Sequence, residues 1–410
     1  MTSGTLPPSS EAAGRATSPA PAAARAALAL LRHLQAGTLT VRTPDGATHQ
    51  SVGSSQPDLH AVLDVHDWST FSATLRAGDI GFAETFMAGA WTTPQLADLL
   101  RLILANREVI EKAIYGSWWG SLLHRVQHAL HRNTRSGSRR NIQAHYDLGN
   151  AFYERWLDPT MTYSAARFEN PGQSLPAAQW HKYSTLAQSM ALGPDQHVLE
   201  IGCGWGGFAE FAAREVGARV TGITISREQH DFAKRRLFEK GLAEKADIRL
   251  IDYRDIQGQF DSVASIEMFE AVGEEYWPTY FGKVHDLLSP GGRAALQIIT
   301  IRDELFDDYR SRADFIQKYV FPGGMLGSEK RLRQETDRAG LEWREIARFG
   351  QDYAATLAEW GASFQAAWDE IKALGFDERF RRLWQFYLSY CEAGFRSGRT
   401  NVIQLGLARA

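Results

Sequence analysis

The chain has 410 residues, 44% of them hydrophobic and 11% aromatic, so it can bury a sizeable core and hold more than one domain, which excludes wholesale disorder. A formal net charge of -3 gives no global attraction to nucleic acid or to an anionic membrane, so any such attraction must come from a local patch. The two cysteines, Cys203 and Cys391, exclude a disulfide framework and a cysteine-rich zinc site, which suits a reducing cytoplasm.

Residues 1–25 are rich in Ala, Pro and Ser and read as a flexible tail, without the basic start of a signal peptide. No apolar run approaches the ~20 residues that a spanning helix needs, so any lipid must be approached from the water side. Residues 26–117 read as a small N-terminal domain of mixed or helical character, in which LADLLRLILANREVIEKAI has helical apolar spacing. Residues 118–140 form a basic amphipathic linker that carries Arg125, Arg132, Arg135, Arg139 and Arg140. Two readings stand side by side there: a segment that touches anionic headgroups, and a solvated connection between domains.

From His197 onward, strands alternate with helices. Candidate strands at 197–203, 218–225, 246–252, 260–268, 293–301, 341–349 and 400–410 predict an α/β fold. The helical segments FAEFAAREV and REQHDFAKRRLFEKG separate the early strands, so the sheet should be mainly parallel and covered on both faces. The connections before the last two strands are long, and such insertions make lids or pockets rather than scaffold.

Three consecutive strand ends carry ligand chemistry. VLEIGCGWGGF ends the first strand at Gly202 and Gly204, where glycines let the backbone approach a nucleotide-like ligand. The pattern is not the dinucleotide G-x-G-x-x-G, and the preceding acid, Glu200, suits an enzyme that holds the amino-acid part of S-adenosylmethionine. TGITISREQ ends the second strand with Thr224, Ile225, Ser226 and Gln229 where a nicotinamide site would place an acid for the ribose, which disfavours a dehydrogenase. Asp252 and Tyr253 end the third as an adenine clamp, a carboxylate for the exocyclic amine and a ring for stacking.

The fourth strand runs into IEMFEAVGEEYW, whose apolar half is interrupted by Glu267 and Glu270. Glu270 falls between Phe269 and Ala271 where the strand should end, and an isolated carboxylate there would be costly to desolvate.

HYDLGNAFYERWLDPTMTYS, VLEIGCGWGGF, GITISREQ, MFEAVGEEYW, YVFPGGMLGS and FGQDYAATLAEW together resemble the cyclopropane-fatty-acyl-phospholipid synthase family. That family includes the mycolic acid cyclopropane synthases and related fatty acyl C-methyltransferases. The resemblance covers 141–410 as one S-adenosylmethionine-dependent domain, and GDIGFAETFMAGAW resembles the front domain of the bacterial phospholipid-acting members. It implies a class I methyltransferase, Rossmann-like seven-stranded sheet with helical lid insertions, and no metal. The implied reaction is methyl transfer to a cis double bond in an unsaturated phospholipid acyl chain. Attack by the alkene leaves a carbocation beside the new methyl, and proton loss from that methyl closes a cyclopropane.

By the same resemblance, Tyr163 and Ser164 close over the cofactor, with Gly202, Gly204, the segment Thr224 to Gln229, Asp252 and Tyr253 around it. The base in the family is a bicarbonate ion among a Cys, a Glu, a His, a backbone amide near an Ile, and a Tyr. Glu270, Ile299 and Tyr353 match three of these, whereas Ala165 stands where Cys is usual and Gln297 where His is usual. Bicarbonate is therefore expected against Glu270, Tyr353, Gln297 and backbone amides, with a shared proton or hydrogen bond to relieve repulsion from Glu270. The altered positions leave two alternatives: a methyl- or methylene-branched product, and a lipid-binding protein on a decayed methyltransferase scaffold. Cys391, on an apolar helix, suits packing better than catalysis. The implied setting is cytoplasmic and peripheral to the membrane, with the protein as a homodimer. The N-terminal domain and basic segment would dock on the bilayer, and the insertions around YVFPGGMLG and AATLAEWGASFQAAW would line an acyl slot.

Overall fold

The computed structural model describes residues 20–114 and 148–409. Most of the expected tail and the whole basic segment at 118–140 lie outside these residues. The tail was expected to run through residue 25, but helix α1 (Ala22–Leu31) already begins inside it. Its alanine-rich sequence favours helix, and Ala24 is fully buried where α1 packs on α2 (Ser69–Met87).

The N-terminal unit is built on a sheet rather than on helices alone. Strands β1 (Ala36–Arg42), β2 (Thr48–Val52), β3 (Ser55–Val65) and β4 (Trp91–Thr92) pair in the order β2-β1-β3-β4. On β3, Leu59, Ala61, Leu63 and Val65 are buried at every second position, the period of a strand with one covered face. Helix α3 (Leu96–Ala105) lies against it through Leu96, Leu99, Leu100 and Leu102. The buried Asn106 ends that helix. It accepts from the N–H groups of Gln35 and Ala36 at 2.7 and 3.0 Å and donates to the carbonyls of Ala36 and Leu102 at 2.9 Å, so its buried amide is satisfied. Helix α2 breaks at Gly78 (φ 59°, ψ -134°), a conformation that glycine adopts without the steric cost of a Cβ.

The larger sheet has seven strands in the order β10-β11-β9-β8-β5-β6-β7. β5 (His197–Ile201), β6 (Arg219–Thr224), β7 (Ala246–Leu250), β8 (Phe260–Ile266), β9 (Leu288–Ile301) and β10 (Leu341–Arg348) share one direction, whereas β11 (Thr400–Arg409), between β9 and β10, runs antiparallel to both. All seven expected strands are present and the sheet is mainly parallel. The central strands are buried on both faces, which explains their near-continuous apolar runs.

The two long connections are helical. Asp303–Ser311, Phe315–Tyr319 and Glu329–Arg338 precede β10, and Gly350–Ala366, Trp368–Ala373 and Glu378–Arg396 precede β11. The Glu378–Arg396 helix packs on α2 and α3, with Phe86 and Phe386 ring centroids 5.7 Å apart. One apolar core joins Leu39 and Trp91 of the N-terminal unit to Trp156, Trp360 and Trp384 around the larger sheet. The lid is thus the joint between the two sheets.

Candidate active site

A cavity of about 880 Å³ opens at the carboxyl ends of β5, β6 and β8, where open α/β sheets place their ligands. Its floor is shaped by strand-end turns. Gly202 (φ 81°) packs so tightly that a Cβ would lie 2.6 Å from Met268 Cγ, whereas a Cβ on Gly204 (φ 52°) would meet no atom within 4 Å and would occupy the cavity itself. At the end of β6, Thr224 Oγ1 donates to Gln229 Oε1 at 2.8 Å, and Ser226 caps the Arg227–Glu239 helix by accepting from the Gln229 N–H at 3.3 Å. Thr224, Ile225 and Gln229 line the cavity, while Ser226 serves the cap. Asp252 and Tyr253 line it too, and the Asp252 carboxylate already holds the Arg254 guanidinium in a bidentate pair at 2.8 and 2.6 Å.

Glu200 is buried at the end of β5, and its Oε2 finds no partner among the described residues. Burial pushes its pKa well up, opposed by Lys182 and Arg236. Tyr163 shares a hydrogen bond of 2.6 Å with the hydroxyl of Tyr387, and Ser164 Oγ accepts from Lys182 Nζ at 2.7 Å. Lys182, on the Leu175–Ser189 helix, is fully buried. Desolvation lowers its pKa to about 7, against the attraction of Glu267, Asp158 and Glu200. The backbone opening at Gly204 and the orphaned Glu200 oxygen fit a nucleoside with a cationic amino-acid arm, as S-adenosylmethionine is.

The acidic cluster lies beside this end. Glu267 follows the last residue of β8 with a left-handed backbone (φ 49°), and its N–H donates to the Gln297 carbonyl at 2.8 Å. Its side chain turns into a cage of donors. Oε1 accepts from the Ala165 N–H at 2.8 Å and from Gln297 Nε2 at 2.7 Å, and Oε2 accepts from the Tyr353 hydroxyl at 2.9 Å. The amide of Gln297 is oriented by Gln404, opposite it on β11, whose Nε2 donates to Gln297 Oε1 at 3.2 Å. Gln404 is fixed in turn by donors from Arg167 at 3.0 Å and Thr185 at 2.8 Å.

Glu270 sits one short turn on, in Phe269–Ala271. Its Oε1 accepts from the Ile299 N–H, while Oε2 is buried without a hydrogen-bond partner among the described residues. Burial and the neighbouring Glu267 push Glu270 up to about 8, so at neutral pH it keeps its proton. Burial also raises Glu267, but Lys182, Gln297, the Ala165 N–H and Tyr353 all favour its ionised form. With three donors aimed at Glu267 and one at Glu270, the single negative charge belongs on Glu267. The Tyr353 phenol, raised well above its usual range by burial and by Glu267, stays a donor.

The structure thus brings Ala165, Gln297, Ile299, Glu270 and Tyr353 into one cluster, but three of them converge on Glu267, which carried no role in the sequence reading. Its signal was present as the first acid of EMFE at a strand end. Lys182 and Gln404 had no sequence signal of their own. Cys391 lines the same cavity, and burial pushes its thiol far above neutrality, so it is no thiolate nucleophile. Beyond the cluster the cavity runs on between lid and N-terminal unit, past Met325, Leu357 and Phe386 to Leu39, Phe82 and Ile103. Both predicted insertions contribute to this apolar arm, together with a wall from the N-terminal sheet and helices.

Residues 133–405 match the family model described as mycolic acid cyclopropane synthetase. The chain is 39% identical over 343 residues to the tuberculostearic acid methyltransferase UfaA1 of Mycobacterium tuberculosis, covering 82% of this chain and 80% of that protein. It is 36% identical over 362 residues to the cyclopropane-fatty-acyl-phospholipid synthase of Escherichia coli, covering 87% and 89%. Among solved structures, the mycolic acid cyclopropane synthase CmaA1 complexed with SAH and CTAB is similar at 29% identity with a TM-score of 0.62, over 66% of this chain and 98% of that one. A strand-end ligand cavity, a seven-stranded methyltransferase sheet and these matches agree: the chain is an S-adenosylmethionine-dependent enzyme and belongs to the mycolic acid cyclopropane synthetase family.

Proposed function

We propose that the protein transfers the methyl carbon of S-adenosylmethionine to a cis double bond in an unsaturated phospholipid acyl chain and closes a cyclopropane by proton loss from that methyl. The observation that carries this reading is the continuity of one cavity. It begins at Gly202, Thr224 and Asp252, passes the Glu267–Glu270 cluster, and continues as an apolar arm to Leu39 and Phe82. When bound at the strand ends, S-adenosylmethionine supplies an electrophilic methyl on sulfur.

The rest falls to the chain's own residues. Tyr163, Ser164, Gly202, Gly204, Thr224, Ile225, Gln229, Asp252 and Tyr253 surround the nucleoside, and the free oxygen of Glu200 suits the amino group. An alkene is a weak nucleophile, so holding it in line with the methyl supplies much of the rate, and the apolar arm does that while keeping water from the cation. Faces of Tyr163, Tyr353 and Phe386 along the wall stabilise the positive charge.

A second reading, a methyl- or methylene-branched product, is favoured by the fixed carboxylate in the cage and by the likeness to a tuberculostearic acid methyltransferase. A hydride shift would then precede loss of the proton. Expression in a host without its own synthase, fed methionine with a deuterated methyl, tests both by gas chromatography and mass spectrometry. A ring and a methylene branch each keep two of the three deuterons, and retention and fragmentation tell them apart. A lipid profile unchanged by soluble protein would contradict both readings.

No helix among the described residues is long and apolar enough to cross a membrane. Docking on the bilayer through the basic segment at 118–140, in a cytoplasmic homodimer, completes the proposal. Reversing the charges of Arg132, Arg135, Arg139 and Arg140 should abolish co-sedimentation with anionic liposomes, and undiminished binding would refute that role.

A further inference from the structure

The donors that would hold a free anion in this site are already taken. Ala165 N–H, Gln297 Nε2 and the Tyr353 hydroxyl all bond to the Glu267 side chain, so a bicarbonate ion finds none of them available and the residues do not fit it. A left-handed φ of 49° is unusual for a residue with a Cβ, and here it turns Glu267 out of β8 and back into the cage. Gln404, anchored by Arg167 and Thr185, holds the Gln297 amide with its NH2 toward Glu267. The cluster is therefore built around a protein carboxylate.

Resting on the proposed methyl transfer, we infer that Glu267 is the enzyme's built-in base: its caged carboxylate accepts the proton that leaves the transferred methyl, in place of a dissolved anion. The alkene π pair forms the new C–C bond as the C–S bond breaks and its electrons stay on sulfur, giving a neutral thioether and a carbocation on the adjacent carbon. A C–H bond of the new methyl then breaks. Its proton goes to Glu267 Oε2, which accepts one hydrogen bond where Oε1 accepts two, and its electron pair closes the ring. For a branched product, a hydride shift first moves the cation to the methyl-bearing carbon, and the same pair then forms the double bond of a methylene branch. Glu270, bonded to the Ile299 N–H, stays protonated beside Glu267 and keeps the cluster at one negative charge. Gln404 is a positioning residue that acts through Gln297.

The test uses purified full-length protein, S-adenosylmethionine and vesicles of a cis-monounsaturated phospholipid in buffer stripped of carbon dioxide. Wild-type turnover should stay within about two-fold as bicarbonate is added back, because the base is already in place. Glu267→Gln should lose about 100-fold or more in kcat while S-adenosylmethionine binding by calorimetry stays within about three-fold. Glu267→Gly, which empties the cage, should regain turnover with added bicarbonate or formate. Wild-type turnover that collapses without bicarbonate and returns with it overturns the inference, as does a Glu267→Gln enzyme of near-normal rate. The wild-type arm decides the matter even if both variants fail to fold. A wild-type enzyme that modifies no lipid under either condition removes the proposed function and this inference with it, whereas turnover that needs bicarbonate removes the inference alone.

Discussion

Glu270 carries a stability signature that can be measured apart from turnover. Its carboxyl titrates at about 8 in the folded chain against 4.5 in an unfolded one, so between those values the folded state holds an extra proton. The contribution is fully present below pH 4.5 and is lost as pH rises through 8, at about 1.4 kcal/mol per unit. Glu270→Gln cannot titrate, so denaturant unfolding should show it gaining on wild type with that slope between about pH 5 and 8. A pH-independent difference would mean that Glu270 ionises normally. Lys182 acts on the base instead. Lys182→Met removes the charge that favours ionised Glu267, so the acid limb of the pH–kcat profile should move to higher pH. An unmoved limb would separate Lys182 from the cluster. These two residues mark the limit of what could be read beforehand. Glu270 stood out because an acid ended an apolar run. Glu267, three residues earlier, looked like its less informative companion until a left-handed turn and three donors gave it a place. Lys182 sits on a helix whose neighbours give no hint that its ammonium is buried against Ser164.

At the scale of elements, glycines set the cofactor floor. Gly202→Ala must adopt a φ of 81° and meet Met268 Cγ at 2.6 Å, and the backbone conformation alone costs about 1–2 kcal/mol for a residue with a Cβ. Calorimetry should show S-adenosylmethionine affinity about ten-fold weaker or more, and an unchanged affinity would place the cofactor away from this turn. The strands of the large sheet were legible because parallel strands buried on both faces leave unbroken apolar runs such as HVLEI, closed by glycine. Their order was not, since the insertion of β11 between β9 and β10 is settled by long-range pairing that no local pattern records. In the N-terminal unit the alternation of Leu59, Ala61, Leu63 and Val65 was a strand signal, but polar residues dilute β2 and the first half of β3. The helical periodicity of α3 was the stronger pattern, and a mixed or helical unit was the result.

The whole molecule is organised around a cavity that neither sheet encloses alone. The strand ends supply the cofactor pole, the lid helices the middle, and the N-terminal unit the far wall. Phe86 and Phe386 tie that wall to the lid, and a double-mutant cycle to Ala should give a coupling of about 0.5–1.5 kcal/mol beyond the area lost. Purely additive effects would mean that the N-terminal unit is not held by this contact. The central claim is one-carbon transfer to an acyl double bond within that cavity. Its most direct test is mass spectrometry of phospholipid vesicles after incubation with purified protein and S-adenosylmethionine labelled in the methyl group. The account predicts that unsaturated acyl chains gain the labelled carbon one for one with S-adenosylhomocysteine formed, while saturated chains stay unlabelled. Unlabelled unsaturated chains, with protein that still binds S-adenosylmethionine, would contradict it.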